Sequence, residues 1–209
     1  MRPAQLKVNM KLLFGLLFLE FVKVHFVFRS TDPAIAGYGA FTVLSVQLGA
    51  LWTFRAQLPQ RALDSVLVIP AWQTLVRWTV FACIAAALVQ IMGDCYTSEQ
   101  SIASPDAIDR HWAGWLAIAL CVPLVEEIVF RAWLIETLST EFPRPIAMVG
   151  AALLFGLVHL GGAEVLAFPS AFAGGLALGI AYLRSRSILP GFVAHALVNT
   201  AYLVLVNWG

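Results

Sequence analysis

Apolar segments of about twenty residues follow one another along almost the whole chain, and they limit the folds that it can adopt. Of the 209 residues, 60% are hydrophobic and 12% are charged, whereas a soluble domain carries about 25% charged residues. A helix that crosses a membrane needs about 20 mostly apolar residues. We therefore predict an all-α, polytopic transmembrane helical bundle of about seven spans, with six to eight compatible with the shortest segments. The segments cover residues 12–28, 34–54, 71–92, 112–136, 145–161, 167–183 and 189–207.

Basic residues between the segments predict how the bundle is oriented. With the N-terminus in the cytoplasm, eight basic residues lie on the cytoplasmic side and two, Arg29 and Arg110, lie on the other, as the positive-inside rule requires. The N-terminal segment resembles a signal peptide without a small-residue cleavage site, so we interpret it as an uncleaved first span. A short amphipathic segment, 61–70, is expected at the membrane interface. The eight cytoplasmic residues are Arg2, Lys7, Lys11, Arg55, Arg61, Arg144, Arg184 and Arg186.

The length favours a single membrane domain over residues 1–209. Residues 1–111 would supply the N-terminal spans and a polar loop at 93–111, and residues 112–207 would supply the core helices. The net charge of +1 gives no reason to expect a nucleic-acid partner. No CxxC pair is present, so we infer neither a disulfide nor a metal site from the three cysteines, which are Cys83, Cys95 and Cys121.

Two adjacent carboxylates and an arginine interrupt the fourth apolar segment. An ionisable group near the centre of a bilayer costs at least ~2.5–3.5 kcal/mol, and such groups usually have a functional role. Glu127 and Arg131 are four residues apart, so they share a helix face and can pair. Glu126 then projects about 100° away and is left for other partners.

Three further polar residues lie in the later apolar segments. His159 falls in the fifth segment, and His195 and Asn199 are four residues apart in the seventh, so one helix face presents both. At ~1.5 Å per residue, these side chains and Glu126 come to roughly the same layer of the bundle. Polar groups in hydrocarbon must face the bundle interior and find partners, so we expect the three helices to share one polar site.

The order Glu-Glu-x-x-x-Arg, Phe-x-x-x-His and His-x-x-x-Asn, on separate membrane helices, resembles the CAAX-protease and bacteriocin-processing (CPBP) family. These are intramembrane proteases of the Rce1 and Abi type, and the resemblance covers roughly residues 112–207. It implies a glutamate protease in which Glu126 is the general base that activates a water. His159 would help to hold that water, and His195 and Asn199 would donate hydrogen bonds to the oxyanion. Glu127 and Arg131 would be a supporting pair, and Phe155 would pack the site.

Structural interpretations of the same residues remain open. Glu126, Glu127 and Arg131 could form an ion network that fixes helix packing, and His159 could be a core histidine bonded to a backbone carbonyl. His195 and Asn199 could be an interhelical hydrogen-bonded pair. We expect no cofactor, although Glu126, His159 and His195 could bind zinc with an open water position. A local pair or interfacial position is the preferred interpretation for Glu20, Lys23 and His25.

The expected function is therefore intramembrane hydrolysis of a peptide bond in a membrane-anchored or lipidated protein, near its C-terminus. The partners would be a membrane protein or lipoprotein substrate and the lipid bilayer. Short loops favour a multi-pass protein of a prokaryotic inner membrane. The alternatives are a non-catalytic bacteriocin-immunity or scaffold membrane protein, a zinc-dependent form of the same protease, and a proton or ion carrier.

Overall fold

The structure, a computed structural model, describes four stretches of the chain: residues 33–53, 59–96, 116–160 and 167–208, with isolated positions at 12, 15–19, 22 and 56. These stretches are helical and contain no strand. We number the helices in chain order. They are α1 (Pro33–Thr53), α2 (Gln60–Leu67), α3 (Trp72–Tyr96), α4 (117–138), α5 (Arg144–Val158), α6 (Ala167–Ser185) and α7 (Leu189–Trp208).

Helix α4 lies at the centre of the hydrophobic core and changes its geometry along its length. It consists of a π-helical turn at Ala117–Cys121, an α-helical turn at Val122–Glu126, a longer π-helical segment at Glu127–Ile135 and a final turn at Glu136–Leu138. Every residue from 125 to 137 is buried except the half-buried Ile128. A helix that is buried on all sides must be covered by several neighbours, and these include α1, α2, α5 and α7.

The other helices begin and end where proline and solvent-facing turns require it. Helix α2 ends at Leu67, and Val68 is already extended (φ −74°, ψ 120°), because the residues that lead to a proline disfavour the helical conformation and Pro70 follows. Helix α5 has Pro145 in its first turn, where the missing amide hydrogen has no intrahelical partner to lose.

Small residues allow the helices of the C-terminal half to approach closely. A Cβ atom on Gly175 of α6 would lie 3.2 Å from the Cα of Ala152 on α5. Such small-residue contacts are typical of helix interfaces in membrane proteins. Helix α3 packs on both α6 and α7, so the N-terminal half of the chain helps to enclose the C-terminal half.

The predicted segments agree with most of these helices and differ at three ends. The segment predicted at 61–70 is helical over Gln60–Leu67, and the one predicted at 145–161 ends at Val158. The third helix continues to Tyr96, so the polar loop predicted to start at 93 starts later, since a helix already formed extends at little cost. The predicted first span, with Glu20, Lys23 and His25, and most of the loop 93–111 lie outside the described residues.

Among the described helices, one segment, Trp72–Val89 of α3, is long and apolar enough to cross a membrane. Shorter apolar helical segments occur at Thr42–Thr53, Arg144–Val158 and Leu189–Val204. The coarse prediction of an all-α bundle is therefore confirmed. The number of spans and their orientation stay predictions.

Candidate active site

The two adjacent carboxylates lie in the buried centre of α4. Glu126 is 2% exposed and Glu127 is 0% exposed, at the junction between the α-helical turn and the longer π-helical segment. π-Helical segments within α-helices are frequent at functional sites. A buried ionised carboxylate needs nearby charges or donors to be tolerated, and α5 and α7 carry side chains that approach this pair.

Glu127 pairs with Arg131, as their spacing predicts. The Arg131 Nη1 lies 3.2 Å from the Glu127 Oε1, and both side chains are buried. The guanidinium carbon of Arg131 also lies 4.6 Å from the ring centre of Phe155 on α5, within the range of a cation–π contact. Phe155 packs edge-on against Phe130, with ring centres 5.0 Å apart. The arginine is therefore held by a charge on its own helix and a ring on the next.

His195 of α7 lies between the two carboxylates. Its Nε2 is 3.7 Å from the Glu126 Oε2, and its Nδ1 is 3.5 Å from the Glu127 Oε1. The sequence analysis left Glu126 for partners from other helices, and the structure brings His195 to both carboxylates. One imidazole therefore contacts both acidic side chains of α4.

Helix α7 reaches Glu127 because it has a glycine at the point of contact. A Cβ atom on Gly191 would lie 2.5 Å from the Glu127 Oε2 and 3.2 Å from its Cδ. Real Cβ atoms do not approach an oxygen so closely, because the atoms would overlap. Gly191, one helical turn before His195, therefore sets how near α7 can come to α4.

His159 lies just after the last residue of α5, and its ring is oriented by the preceding turn. Its Nδ1 is 2.7 Å from the Phe155 carbonyl oxygen. Because a carbonyl oxygen only accepts, Nδ1 must donate, and the Nε2 of the neutral ring is then an acceptor. This contact is the one expected if His159 is a core histidine bonded to a backbone carbonyl. The acceptor at Nε2 is also suited to hold a water molecule, as the catalytic interpretation requires.

The side-chain amide of Asn199 joins α7 to the start of α4. Its Nδ2 donates to the Ile118 carbonyl oxygen at 3.0 Å. In π-helical geometry the partner of that carbonyl is the amide five residues later, which belongs to Pro123 and has no hydrogen. The asparagine therefore supplies the donor that the proline lacks. An asparagine amide has two donor hydrogens, and this bond uses one.

The candidate residues of α5 and α7 line one cavity. Its volume is ≈ 310 Å³, and its lining includes Phe155, His159, His195 and Asn199. Residues of α3 and α6 complete the lining. Small residues there leave the space open, and they include Ala82, Ala86, Ser170, Ala171 and Gly174.

The described residues contain no group of three or more histidine, cysteine or acidic side chains arranged to hold a metal ion. Each ring nitrogen of His195 faces a different carboxylate, the Nε2 facing Glu126 and the Nδ1 facing Glu127. The sequence analysis also missed a third buried acid, Glu136, which accepts hydrogen bonds from Arg144 and Tyr182. Its isolation in an apolar segment was the available signal.

Comparison with known proteins gives one match. The model of a family described as "Rce1-like: type II CAAX prenyl endopeptidase Rce1-like" matches residues 109–201. The matched stretch contains all the candidate site residues, from Glu126 to Asn199, and leaves α1, α2 and α3 outside. No curated protein and no solved structure matches the chain.

Proposed function

We propose a glutamate-dependent intramembrane hydrolysis for this chain, and the match of residues 109–201 to the family of Rce1-like CAAX prenyl endopeptidases supports it. The observation that carries the proposal is the position of His195 between Glu126 and Glu127. In the same cavity wall lie His159 and Asn199. Buried carboxylates with histidines beside a cavity provide the groups that peptide hydrolysis needs.

In the proposed reaction, Glu126 is the general base. It takes a proton from a water molecule as the water oxygen attacks the carbonyl carbon of the scissile peptide. The acceptor Nε2 of His159 holds the second hydrogen of that water. The protonated Glu126 then returns its proton to the amide nitrogen as the C–N bond breaks. Its present distance of 3.7 Å from His195 is compatible with this role, because catalytic hydrogen bonds are often long without substrate.

His195 and Asn199 would stabilise the negative charge that develops on the carbonyl oxygen. Removing one such donor typically costs about 10²–10³ in rate. The second amide hydrogen of Asn199 serves this purpose, since the first is bonded to Ile118. Glu127, Arg131 and Phe155 position His195 and Glu126. No metal takes part in this scheme, and the family is not known to need a cofactor.

The proposed setting is a bundle of about seven spans with the N-terminus in the cytoplasm of a prokaryotic cell. Only 11% of the apolar segment Trp72–Val89 is buried by protein, so most of its surface is left for lipid. Arg61, Arg144 and Arg186 lie around one cavity, which supports their assignment to the same side of the membrane. Residues 1–209 would form one membrane domain, since α3 packs on α6 and α7.

The proposed substrate is a membrane-anchored or lipidated protein that is cleaved near its C-terminus. A cavity among membrane helices is reached by a chain that is itself held at the membrane. The name of the matched family refers to endopeptidases of prenylated CAAX proteins, which are lipidated at the C-terminus. This supports a substrate of the same general kind.

The test is the Glu126→Gln substitution, which keeps the size of the side chain and removes the base. We expect the rate of cleavage of membrane-protein C-termini to fall by about 10²–10⁴-fold. Comparative proteomics of these C-termini measures the change. Glu141→Gln is the matched control, because Glu141 is exposed in the turn before α5. Size-exclusion chromatography and thermal unfolding would check that both variants fold. Full activity of the Glu126 variant would refute the proposal.

A non-catalytic scaffold or immunity protein is the second candidate. The bonds of His159 to Phe155 and of Asn199 to Ile118 favour it, since both tie helices or turns together. In that case the Glu126→Gln variant would still protect the host cell from the bacteriocin. The zinc-dependent alternative predicts instead that a chelator abolishes cleavage and that zinc restores it.

A further inference from the structure

A second cavity lies at the end of the bundle where α2 meets the ends of α4, α5 and α6. Its volume is ≈ 330 Å³, and it shares no lining residue with the catalytic cavity. Glu136 on its wall is ten residues after Glu126 on α4, or about 15 Å along a helix axis. The proposed chemistry makes no use of it. Its charged and polar lining includes Arg61, Asp64, Glu136, Arg144, Tyr182 and Arg186.

The charges around this cavity leave a positive excess. Glu136 is 4% exposed, forms an ion pair with Arg144 and accepts a hydrogen bond from the Tyr182 hydroxyl at 2.9 Å. This buried acid is therefore neutralised within the protein. Arg61 and Arg186 remain at the mouth against the single charge of Asp64, which also accepts a bond from Gln60. An anion of one charge would balance the cavity.

Arg186 occupies an unusual backbone position that directs it to this site. Its φ is 56°, a conformation that glycine or asparagine normally supplies after the end of a helix. The turn that carries it is fixed to the segment around α2, because the Ser187 hydroxyl donates to the Val68 carbonyl (2.6 Å) and the Ile188 amide to the Ser65 carbonyl (3.2 Å). The costly conformation is thus held in place beside Arg61.

Arg144 adds a third guanidinium to the cavity lining. Its side chain is 34% exposed and its Nη2 pairs with Glu136, so Arg61 and Arg186 are the cations of the lining that are left to a bound anion.

Exposed apolar side chains follow the cavity residue Val68 along the chain. Ile69 is 82% exposed and the ring of Trp72 is also exposed, whereas Leu67 lines a separate apolar cavity between α1, α2 and α4. An amphipathic helix followed by such residues is typical of a segment at the membrane interface. Basic pockets at the cytoplasmic ends of membrane helices recognise anionic lipid headgroups. The cavity and the apolar side chains together match the two parts of a phospholipid.

We propose that this cavity binds the phosphate group of an anionic membrane lipid. Arg61 and Arg186 contact the phosphate, and Ile69 and Trp72 lie along the acyl chains. The proposal rests on the membrane setting described above and is independent of proteolysis. The lipid would fix α2 against the ends of α4 and α6.

The test measures binding of short-chain phosphatidylglycerol to the full chain in detergent by native mass spectrometry. We expect tighter binding of phosphatidylglycerol than of phosphatidylcholine. The Arg61→Gln and Arg186→Gln variants should each weaken phosphatidylglycerol binding by about fivefold at low salt. Arg184→Gln is the matched control, because Arg184 is exposed at the same helix end and outside the cavity lining, and it should change binding by less than about twofold.

Three results would overturn the proposal. Equal affinity for the two lipids would remove the requirement for an anionic headgroup, and an equal loss in the Arg184 variant would indicate general charge attraction. Inorganic phosphate that binds as tightly as the lipid would identify a free anion as the ligand. The Glu126→Gln variant should retain full lipid affinity, so a failure of the proposed protease function would be distinguishable from a failure of this site.

Discussion

His195 has two acidic neighbours, and this changes how the carboxylates of α4 divide their roles. Glu127 interacts with both Arg131 and His195, whereas Glu126 faces His195 on one side. A displacement of Glu127 would therefore shift the imidazole that Glu126 depends on. Removing one member of a buried charged group is strongly destabilising, because the remaining charge is left without a partner. The supporting pair is thus linked to the proposed base through one histidine.

The bond from Asn199 to Ile118 can be tested together with Pro123. Asn199→Leu leaves the Ile118 carbonyl without its side-chain donor and should lower the free energy of unfolding by about 1–3 kcal/mol. Pro123→Ala supplies an amide hydrogen at the position five residues after Ile118, so the double variant should recover much of this loss. A double-mutant cycle in chemical unfolding measures the coupling.

Proteolysis in the same variants separates the two roles of Asn199. If it is also an oxyanion donor, the double variant should recover stability without recovering cleavage. Thr200→Val is the control, because the Thr200 hydroxyl donates to Ala196 within its own helix and should show no coupling to Pro123. Additive effects of Asn199→Leu and Pro123→Ala would refute the replacement of one donor by the other.

At the scale of the helices, Gly191 controls the approach of α7 to α4. An alanine there would place its Cβ 2.5 Å from the Glu127 Oε2 and force either the carboxylate or the helix to move. We expect Gly191→Ala to lower the free energy of unfolding by about 1–3 kcal/mol, as overpacking does. Cleavage should fall at least about tenfold, since a displacement of about 1 Å can cost 10²-fold.

Gly49→Ala is the matched control for this prediction. A Cβ atom on Gly49 of α1 would meet nothing within 4 Å, and alanine is favoured over glycine within a helix by about 0.5–1 kcal/mol. This variant should therefore be as stable as the original protein or more stable. A Gly191→Ala variant with unchanged cleavage would show that α7 can shift without disturbing His195.

The helices themselves were predictable to a few residues, and the internal geometry of α4 was not. Length and hydropathy suffice for helices such as α6 and α7, which end near polar or proline residues. Apart from its four charged residues, helix α4 is almost entirely apolar, so its apolar residues carry no periodicity that distinguishes an α-helix from a π-helix. The pairing of Glu127 with Arg131 was predictable because it is local. The contact of His195 with both carboxylates depends on the packing of α7 and was not.

At the scale of the molecule, apolar side chains form exposed stripes on the outer helices. Along α5, Ile146, Val149, Leu153 and Leu157 are all exposed at helical spacing, and α3 has a similar stripe. These faces would be covered by lipid in a membrane. A cysteine at position 153, in a variant without the native cysteines, should resist a water-soluble maleimide in lipid vesicles and react after transfer to denaturant.

A cysteine at position 141 is the comparison, because Glu141 lies in the exposed turn before α5. It should react with the reagent in open vesicles before denaturation. Equal labelling of both positions in vesicles would contradict the lipid-facing assignment of α5.

The contribution of α3 to the cavity beside His159 and His195 could not be predicted from the motifs. Its residues there are small and apolar, such as Ala82 and Ala86, and such residues resemble those of any membrane helix. Only the packing of α3 on α6 and α7 gives them a position opposite His195. The residues of the candidate site could therefore be selected from the sequence, whereas the shape of the cavity depends on contacts between distant segments.

The place of His195 in α7 has a consequence for how the protein is made. A ribosome delivers α4 to the membrane before α5, α6 and α7, so the two carboxylates enter with only Arg131 of their own helix as a charge partner. His195, which faces both carboxylates, arrives with a later helix. Until then the two acidic side chains lack this neighbour, and apolar lipid disfavours ionisable groups. Biogenesis would keep this segment near the insertion machinery or water until α7 has emerged, and an incomplete chain would expose a charged helix to quality control.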